Sequence, residues 1–234
     1  MLLTDNARYH AKVMKRPQTI ADNSPVQSEQ TQPHSDLLAV VAKHIQYPWQ
    51  KPIPEHTRQA GETALEWLNS RDCSNIVLDS FCGTGLSSSL LAQRHPDACV
   101  IGLDKSADRL SRHCPNGINY RLFRAECEPF WRFLLERGVK ISHHYMLYPN
   151  PWPKSGQLKR RIHGHPAFPL LKRLGGEVEV RSNWKIYIDE FAEAWAALSQ
   201  PGVVSQLKID APISLFERKY RDRGQTLWQF RSSA

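Results

Sequence analysis

Tyr148-Pro149-Asn150-Pro151-Trp152-Pro153-Lys154 places three prolines within seven residues. Each proline lacks an amide donor and restricts the residue before it, so this stretch can be neither a helix nor a central strand. The apolar run leading into it, Tyr145-Met146-Leu147-Tyr148, reads as a buried strand. A rigid loop therefore stands at the carboxyl end of a strand, where ligands bind in open α/β sheets. Asn150 lies between two proline rings with its backbone expected to be extended, so its side chain is presented with little freedom. A short polar gap then leads to Lys159-Arg160-Arg161.

Upstream of this loop the chain alternates strands, turns and helices. Asn75 to Asp79 reads as a buried strand, Cys82-Gly83-Thr84-Gly85 as a turn and Leu86 to Arg94 as a helix. A second strand runs from Cys99 to Leu103 and ends at Asp104, with a helix beginning near Ser106. Asn119 to Phe123 makes a third strand, Glu128 to Arg137 a helix and Ile141 to Tyr148 the fourth strand. Downstream come helices near 168–172 and 184–198, strands near 177–181 and 203–207, an amphipathic segment at 215–222 and a last strand at 226–230. This order predicts an α/β fold with a doubly wound, mostly parallel sheet. Two helices precede it, one capped by Asp36 and one from about Glu55 to Ser70. Residues 1–34, rich in Gln, Ser, Pro and Asn, offer little apolar surface and read as a flexible basic and polar arm ahead of one domain at 35–234.

The 234 residues suffice for one sizeable core. A net charge of +8 points to a polyanionic partner, and the excess follows the proline loop: residues 151–234 hold 14 Lys or Arg against 8 Asp or Glu. The five cysteines are odd in number and lack C-x-x-C spacing, so they read as reduced thiols in a cytoplasmic protein. His143-His144 and His163-x-His165 lack carboxylate or cysteine companions at ligand spacing, so no metal is expected. No apolar leader and no run of 18 apolar residues occurs, which argues against secretion and membrane spanning.

Asp79-Ser80-Phe81-Cys82-Gly83-Thr84-Gly85 is the second informative stretch. Glycines after a buried strand let the backbone approach a ligand and aim a helix start at it. Asp104 falls 19 residues after Gly85, at the end of the next strand, where a carboxylate can accept ribose hydroxyls. A nicotinamide fingerprint would want a third glycine where Ser88 stands. Asp79 ahead of the turn suits an ammonium-bearing ligand such as S-adenosylmethionine better than a pyrophosphate. The plainer reading makes both aspartates caps of turns and helices. Glu126, just past the third strand, is in the right order to meet an adenine amino group.

The proline loop with its basic triplet resembles the P-D-P-W-x-K…K-R-R signature of bacterial tRNA (guanine-N7-)-methyltransferases. Ser182-Asn183-Trp184 with Tyr187 resembles the family's T-D-x-x-x-Y segment, and Ser214-Leu215-Phe216-Glu217-Arg218 with Arg223-Gly224 and Trp228 its terminal T-K-F-E-x-R-G…W element. The resemblance implies a Rossmann-like class I methyltransferase with an antiparallel C-terminal strand, acting on a tRNA variable-loop guanine as a monomer or homodimer. It implies that Asp79, Gly83, Gly85, Asp104, Glu126 and Asn150 line the S-adenosylmethionine site, Asn150 at the catalytic position. Lys154, Arg160, Arg161, Asn183, Ser214 and Glu217 would then meet the RNA, while Trp152, Trp184 and Trp228 are expected to pack. The chain departs from the pattern at Asn150 and Asn183, where the family has Asp, and at Phe81, where it has Gly. Asn-Pro-Trp is also similar to the Asn-Pro-Pro-aromatic loop of amino-group methyltransferases. An amino-group enzyme and a tRNA-holding paralogue without turnover therefore stand beside the first reading.

Overall fold

A computed structural model of the chain describes residues 25–232. Two helices, α1 (Leu37–Gln46) and α2 (Glu55–Ser70), precede an alternating unit: β1 (Ile76–Ser80), α3 (Leu86–Arg94), β2 (Cys99–Asp104), α4 (Ala107–Leu110), β3 (Tyr120–Arg124), α5 (Cys127–Glu136) and β4 (His143–Leu147). After two short 3-10 turns come α6 (Pro169–Leu174), β5 (Glu177–Ser182), α7 (Lys185–Ala197), β6 (Gly202–Gln206), α8 (Leu215–Arg221) and β7 (Trp228–Ser232). The seven strands lie in the order β3-β2-β1-β4-β5-β7-β6. All pairs among β1 to β5 are parallel, and β7 inserts antiparallel between β5 and β6. Strand order reverses between β1 and β4, so the loops after these neighbours diverge and leave a crevice at their carboxyl ends.

Alternation along each strand divides the core between the two faces of the sheet. Leu78, Ile101, Met146 and Val180 face the larger side, with Trp67 of α2, Phe130 and Trp131 of α5, and Phe191 and Trp195 of α7. Val77, Val100, Tyr145 and Leu147 face the thinner side, with Leu91 and Ala92 of α3. Beneath the crevice Trp131 Nε1 donates to Ser80 Oγ at 2.9 Å, and Ser80 in turn bonds His144 Nε2 at 2.8 Å, tying α5, β1 and β4 together. Among the described residues no helix is long and apolar enough to cross a membrane.

Three expectations change. Asp36 precedes α1 but makes no side-chain cap bond; its own amide instead donates to His34 Nδ1 at 3.1 Å. Cys73 and Cys99 are joined, with Cα atoms 6.2 Å apart. The Cys99 amide donates to Asn75 O at 2.9 Å, so the entries to β1 and β2 meet; that long-range register is invisible to cysteine spacing. Of the proposed arm, residues 1–24 lie outside the described residues, and the part from Pro25 onward is fastened to the domain: Val26 packs against the core and Ser28 Oγ donates to Pro153 O at 2.7 Å.

Gly61 marks a close approach of α2 to α5. A Cβ there would lie 2.4 Å from the fully buried Phe133 ring. Helix propensity favours Ala over Gly by about 1 kcal/mol, whereas overpacking a core costs about 1–3 kcal/mol. Gly61→Ala should therefore lower stability by up to about 2 kcal/mol in denaturant titration; a stabilised variant would show that the helices part without cost.

Candidate active site

The site is built from loops that leave adjacent parallel strands at the same end. Ser80 is level with Met146, so the glycine bend after β1 and the proline loop after β4 begin side by side. Gly83 and Gly85 have φ of 61° and 80°, as tight turns need. A Cβ on Gly85 would strike Leu122, whereas one on Gly83 would meet nothing within 4 Å. The bend is thus closed below and open above. Phe81, where the resemblance has glycine, is held at φ 65° with its ring edge-on to Trp131.

Asp79 is fully buried in the floor of this bend. Its Oδ2 accepts from Ser87 Oγ at 2.6 Å and Ser88 Oγ at 2.7 Å, while Oδ1 is buried without a partner. Burial raises its carboxyl to about 6, against the opposing pull of the two serine hydroxyls. Asp104 Oδ2 accepts from the Gly83 amide at 3.0 Å and from Arg109 Nη1 at 2.9 Å, and its Oδ1 from the Ser106 amide at 2.8 Å. Glu126 follows β3 and accepts from Thr57 Oγ1 at 2.9 Å and His56 Nε2 at 2.6 Å. Burial acts to raise this carboxyl, but those bonds outweigh it and leave it below its usual range. A cavity of about 350 Å³ lies beside it, lined by His56, Lys105, Arg124, Ala125 and Glu126.

The proline loop is strained at both ends. Tyr148 and Trp152 each precede a proline, where extended backbone is the rule, yet their φ values are 55° and 48°. Tyr148 is fixed through its hydroxyl, which donates to Glu217 Oε1 at 2.9 Å. The same carboxylate accepts from Arg181 Nη1 at 2.7 Å and from the Ile213 amide at 2.7 Å. Burial, then the Glu217 charge and bond, push the Tyr148 hydroxyl far above its usual range, so it stays protonated. Trp152 is fixed through its carbonyl, which accepts from Arg161 Nε at 3.1 Å. Asn150, between these anchors, is exposed.

This geometry corrects three expected RNA contacts. Glu217 is 0 % exposed and spent on Tyr148, Arg181 and Ile213. Ser214 is buried, and its hydroxyl caps α8 by accepting from the Glu217 amide. Arg161, also 0 % exposed, is bonded to Glu190, Gln30 and the loop carbonyls. Lys154, Lys159 and Arg160 do reach the surface, with the Arg160 guanidinium 4.9 Å from the Trp152 ring centre. Asn183 is half-buried at the end of β5, its Nδ2 donating to Gln225 Oε1 at 2.9 Å. Trp184 is buried, whereas Trp152 and Trp228 are half-buried, each beside a cation. Ser87, Ser88, Arg181 and Glu190 escape a sequence reading, although three successive serines opening an apolar helix signal a buried polar partner.

A family model described as "Putative methyltransferase" (Methyltransf_4) matches residues 74–230. A tRNA (guanine-N(7)-)-methyltransferase of Zymomonas mobilis is 32% identical over 155 residues, covering 60% of this chain and 66% of that protein. One from Aquifex aeolicus is 25% identical over 164 residues, covering 66% of this chain and 55% of that protein. A third, from Mycobacterium ulcerans, is 26% identical over 227 residues, covering 83% and 78%. The match thus spans little more than half the length of the Aquifex relative. Among solved structures, the 16S rRNA methyltransferase KamB superposes with a TM-score of 0.52 at 18% identity, over 74% of this chain and 93% of that one. A 16S rRNA (adenine(1408)-N(1))-methyltransferase from Catenulisporales acidiphilia gives 0.50 at 17%, over 72% and 90%. Both likenesses bear on the fold. Because the family model takes in well over half of a chain that already has the glycine bend, the reversed strand order and the proline loop, the protein belongs to this methyltransferase family.

Proposed function

We propose that the chain is a class I methyltransferase that moves the methyl group of S-adenosylmethionine to N7 of a guanine in tRNA. The observation that carries this reading is the neighbouring pair at the carboxyl ends of β1 and β4: an open glycine bend with an unpartnered buried carboxylate oxygen, and a stiff loop carrying the exposed Asn150. The names of the relatives in three bacteria supply the substrate.

The residues fit the donor. Asp79 Oδ1 is an acceptor awaiting an ammonium group, and the absent side chain of Gly83 leaves room above the bend. Asp104 would take the ribose hydroxyls, with the half-exposed Arg109 swinging off its Oδ2. Glu126 and the cavity beside it would hold the adenine. When bound, S-adenosylmethionine supplies a methyl group on a positively charged sulfur. Guanine N7 has a free lone pair, so the chain has no proton to remove from the attacking atom. Its task is placement, an effect of proximity and orientation. Asn150 Oδ1 accepts a bond from the guanine's N1–H or amino group, as a neutral and therefore weaker acceptor than an aspartate. Lys154, Lys159 and Arg160 grip phosphates beside it.

Incubation with methyl-labelled S-adenosylmethionine and unmodified tRNA should yield labelled 7-methylguanosine; label on an exocyclic nitrogen would support an amino-group enzyme, and no label a tRNA-holding paralogue. Asn150→Asp should raise turnover about 10-fold, since a charge-assisted bond is roughly twice as strong as a neutral one; an unchanged rate would remove base-holding from this residue. Exchanging both Lys154 and Arg160 for Ala should weaken tRNA binding and lower the salt slope by about 0.7–0.9 for each phosphate no longer neutralised. Arg161 has no part in that slope.

Asp79 gives a pH test with a definite sign. Its carboxyl ionises near 3.8 when unfolded and about 6 when folded, so the folded chain holds the proton more tightly. Stability is therefore lost as pH rises from about 4 to about 6, by about 3 kcal/mol at about 1.4 kcal/mol per unit. Asp79→Asn should gain about 2 kcal/mol relative to the parent between about pH 4.5 and about pH 8 while losing S-adenosylmethionine binding. Donor affinity of the parent should fall as pH drops through about 6. Calorimetry showing undiminished binding by the variant would contradict the assignment.

A further inference from the structure

We infer that residues 26–34 form a strap that sets the proline loop from behind, with Ser28, Gln30, Arg161 and Glu190 as positioning residues for the transfer. The inference rests on the proposed methyl transfer for its kinetic consequence and on geometry alone for its structural one.

Three consecutive carbonyls of the loop are each held from this side. Trp152 O accepts from Arg161 Nε at 3.1 Å, Pro153 O from Ser28 Oγ at 2.7 Å, and Lys154 O from Arg161 Nη2 at 3.4 Å. Two of the three donors belong to one guanidinium and the third to the strap, 125 residues away in sequence. Arg161 uses all three of its nitrogens: beyond the two carbonyls, Nη2 donates to Gln30 Oε1 at 2.9 Å and Nη1 to both oxygens of Glu190 at 2.6 and 2.5 Å. Its flat face lies 4.9 Å from the Trp184 ring centre. A lysine could not reproduce that planar fork.

Glu190 joins the two halves of the device. It accepts from Arg161 and His163 on the loop side, and from Gln30 Nε2 at 2.5 Å and the His34 amide at 3.0 Å on the strap side. Burial acts to raise this carboxyl; the bonds and charges of its partners overcome that and bring it down to about 2, so the anchor stays ionised throughout the working range. The strap itself is bent to fit, the Gln30 amide donating to Ser28 Oγ at 3.0 Å. Because the held carbonyls start at Trp152, two residues after Asn150, slack in the strap becomes displacement of the side chain that meets the base. Misplacement of that kind lowers turnover far more than it lowers binding.

The test uses the full chain with Ser28→Ala and Gln30→Ala, singly and together, both residues being half-buried so that the variants fold. In the double variant kcat for tRNA should fall at least 10-fold, with S-adenosylmethionine affinity and tRNA affinity at fixed salt within twofold of the parent. Ser28→Thr, which keeps the hydroxyl, should retain turnover. Amide hydrogen exchange at Lys154, whose amide donates to Gln157 Oε1 at 3.2 Å, should quicken at least 10-fold in the double variant while the glycine bend is unaffected. This exchange readout holds even if the parent methylates nothing, so the strap and the proposed function fail separately. Unchanged exchange, or a loss confined to tRNA affinity with kcat intact, would overturn the inference; the latter would make the strap an RNA contact.

Discussion

Two side chains held in a left-handed backbone just before proline are the constraint on which the structure turns. Tyr148 and Trp152 each occupy that conformation, and each costs on the order of 1–3 kcal/mol that the free chain would release by straightening. Hydrogen bonds to charged groups contribute about 1.5–3 kcal/mol each, enough to hold such residues when several converge. They do converge: Glu217 fastens the Tyr148 hydroxyl, and Arg161, itself gripped by Glu190, fastens the Trp152 carbonyl. The segment between them is a ledge whose shape is fixed by charges beneath it. That is why residues resembling RNA contacts by motif are found inside the molecule.

Asp79 and Glu190 illustrate how strongly partners weigh in what a carboxylate does. Both are 0 % exposed. Glu190 meets a guanidinium, an imidazole and an amide and is driven down to about 2. Asp79 meets two hydroxyls, keeps one oxygen bare and is driven up to about 6. One has its cation and is structural; the other lacks it, which is why the proposed ammonium partner is assigned to Asp79.

Legibility in the sequence follows the range of the interaction. Helices α2 and α3 lie where periodicity and the glycine turn put them, and the strands fall within a residue or two, because patterning is local. The stiffness of the proline loop and the turn after Asp79 are readable since both are carried by neighbours in sequence. The burial of Arg161 is not, because it depends on Gln30 and Glu190, 131 and 29 residues away. Likewise the family motif marks Glu217 as important without telling that it faces Tyr148, 69 residues back. The low apolar content of residues 25–34 suggests freedom, yet that segment is held by polar bonds that composition does not register.

A structure with S-adenosylhomocysteine bound tests most directly whether bend and ledge face one another across a single cleft. The ligand's amino group should lie within hydrogen-bond distance of Asp79 Oδ1, with Arg109 withdrawn from Asp104 and the sulfur turned toward the Asn150 side chain. A ligand seated elsewhere, or with its sulfur directed away from the proline loop while Asp79 Oδ1 stays bare, would contradict it.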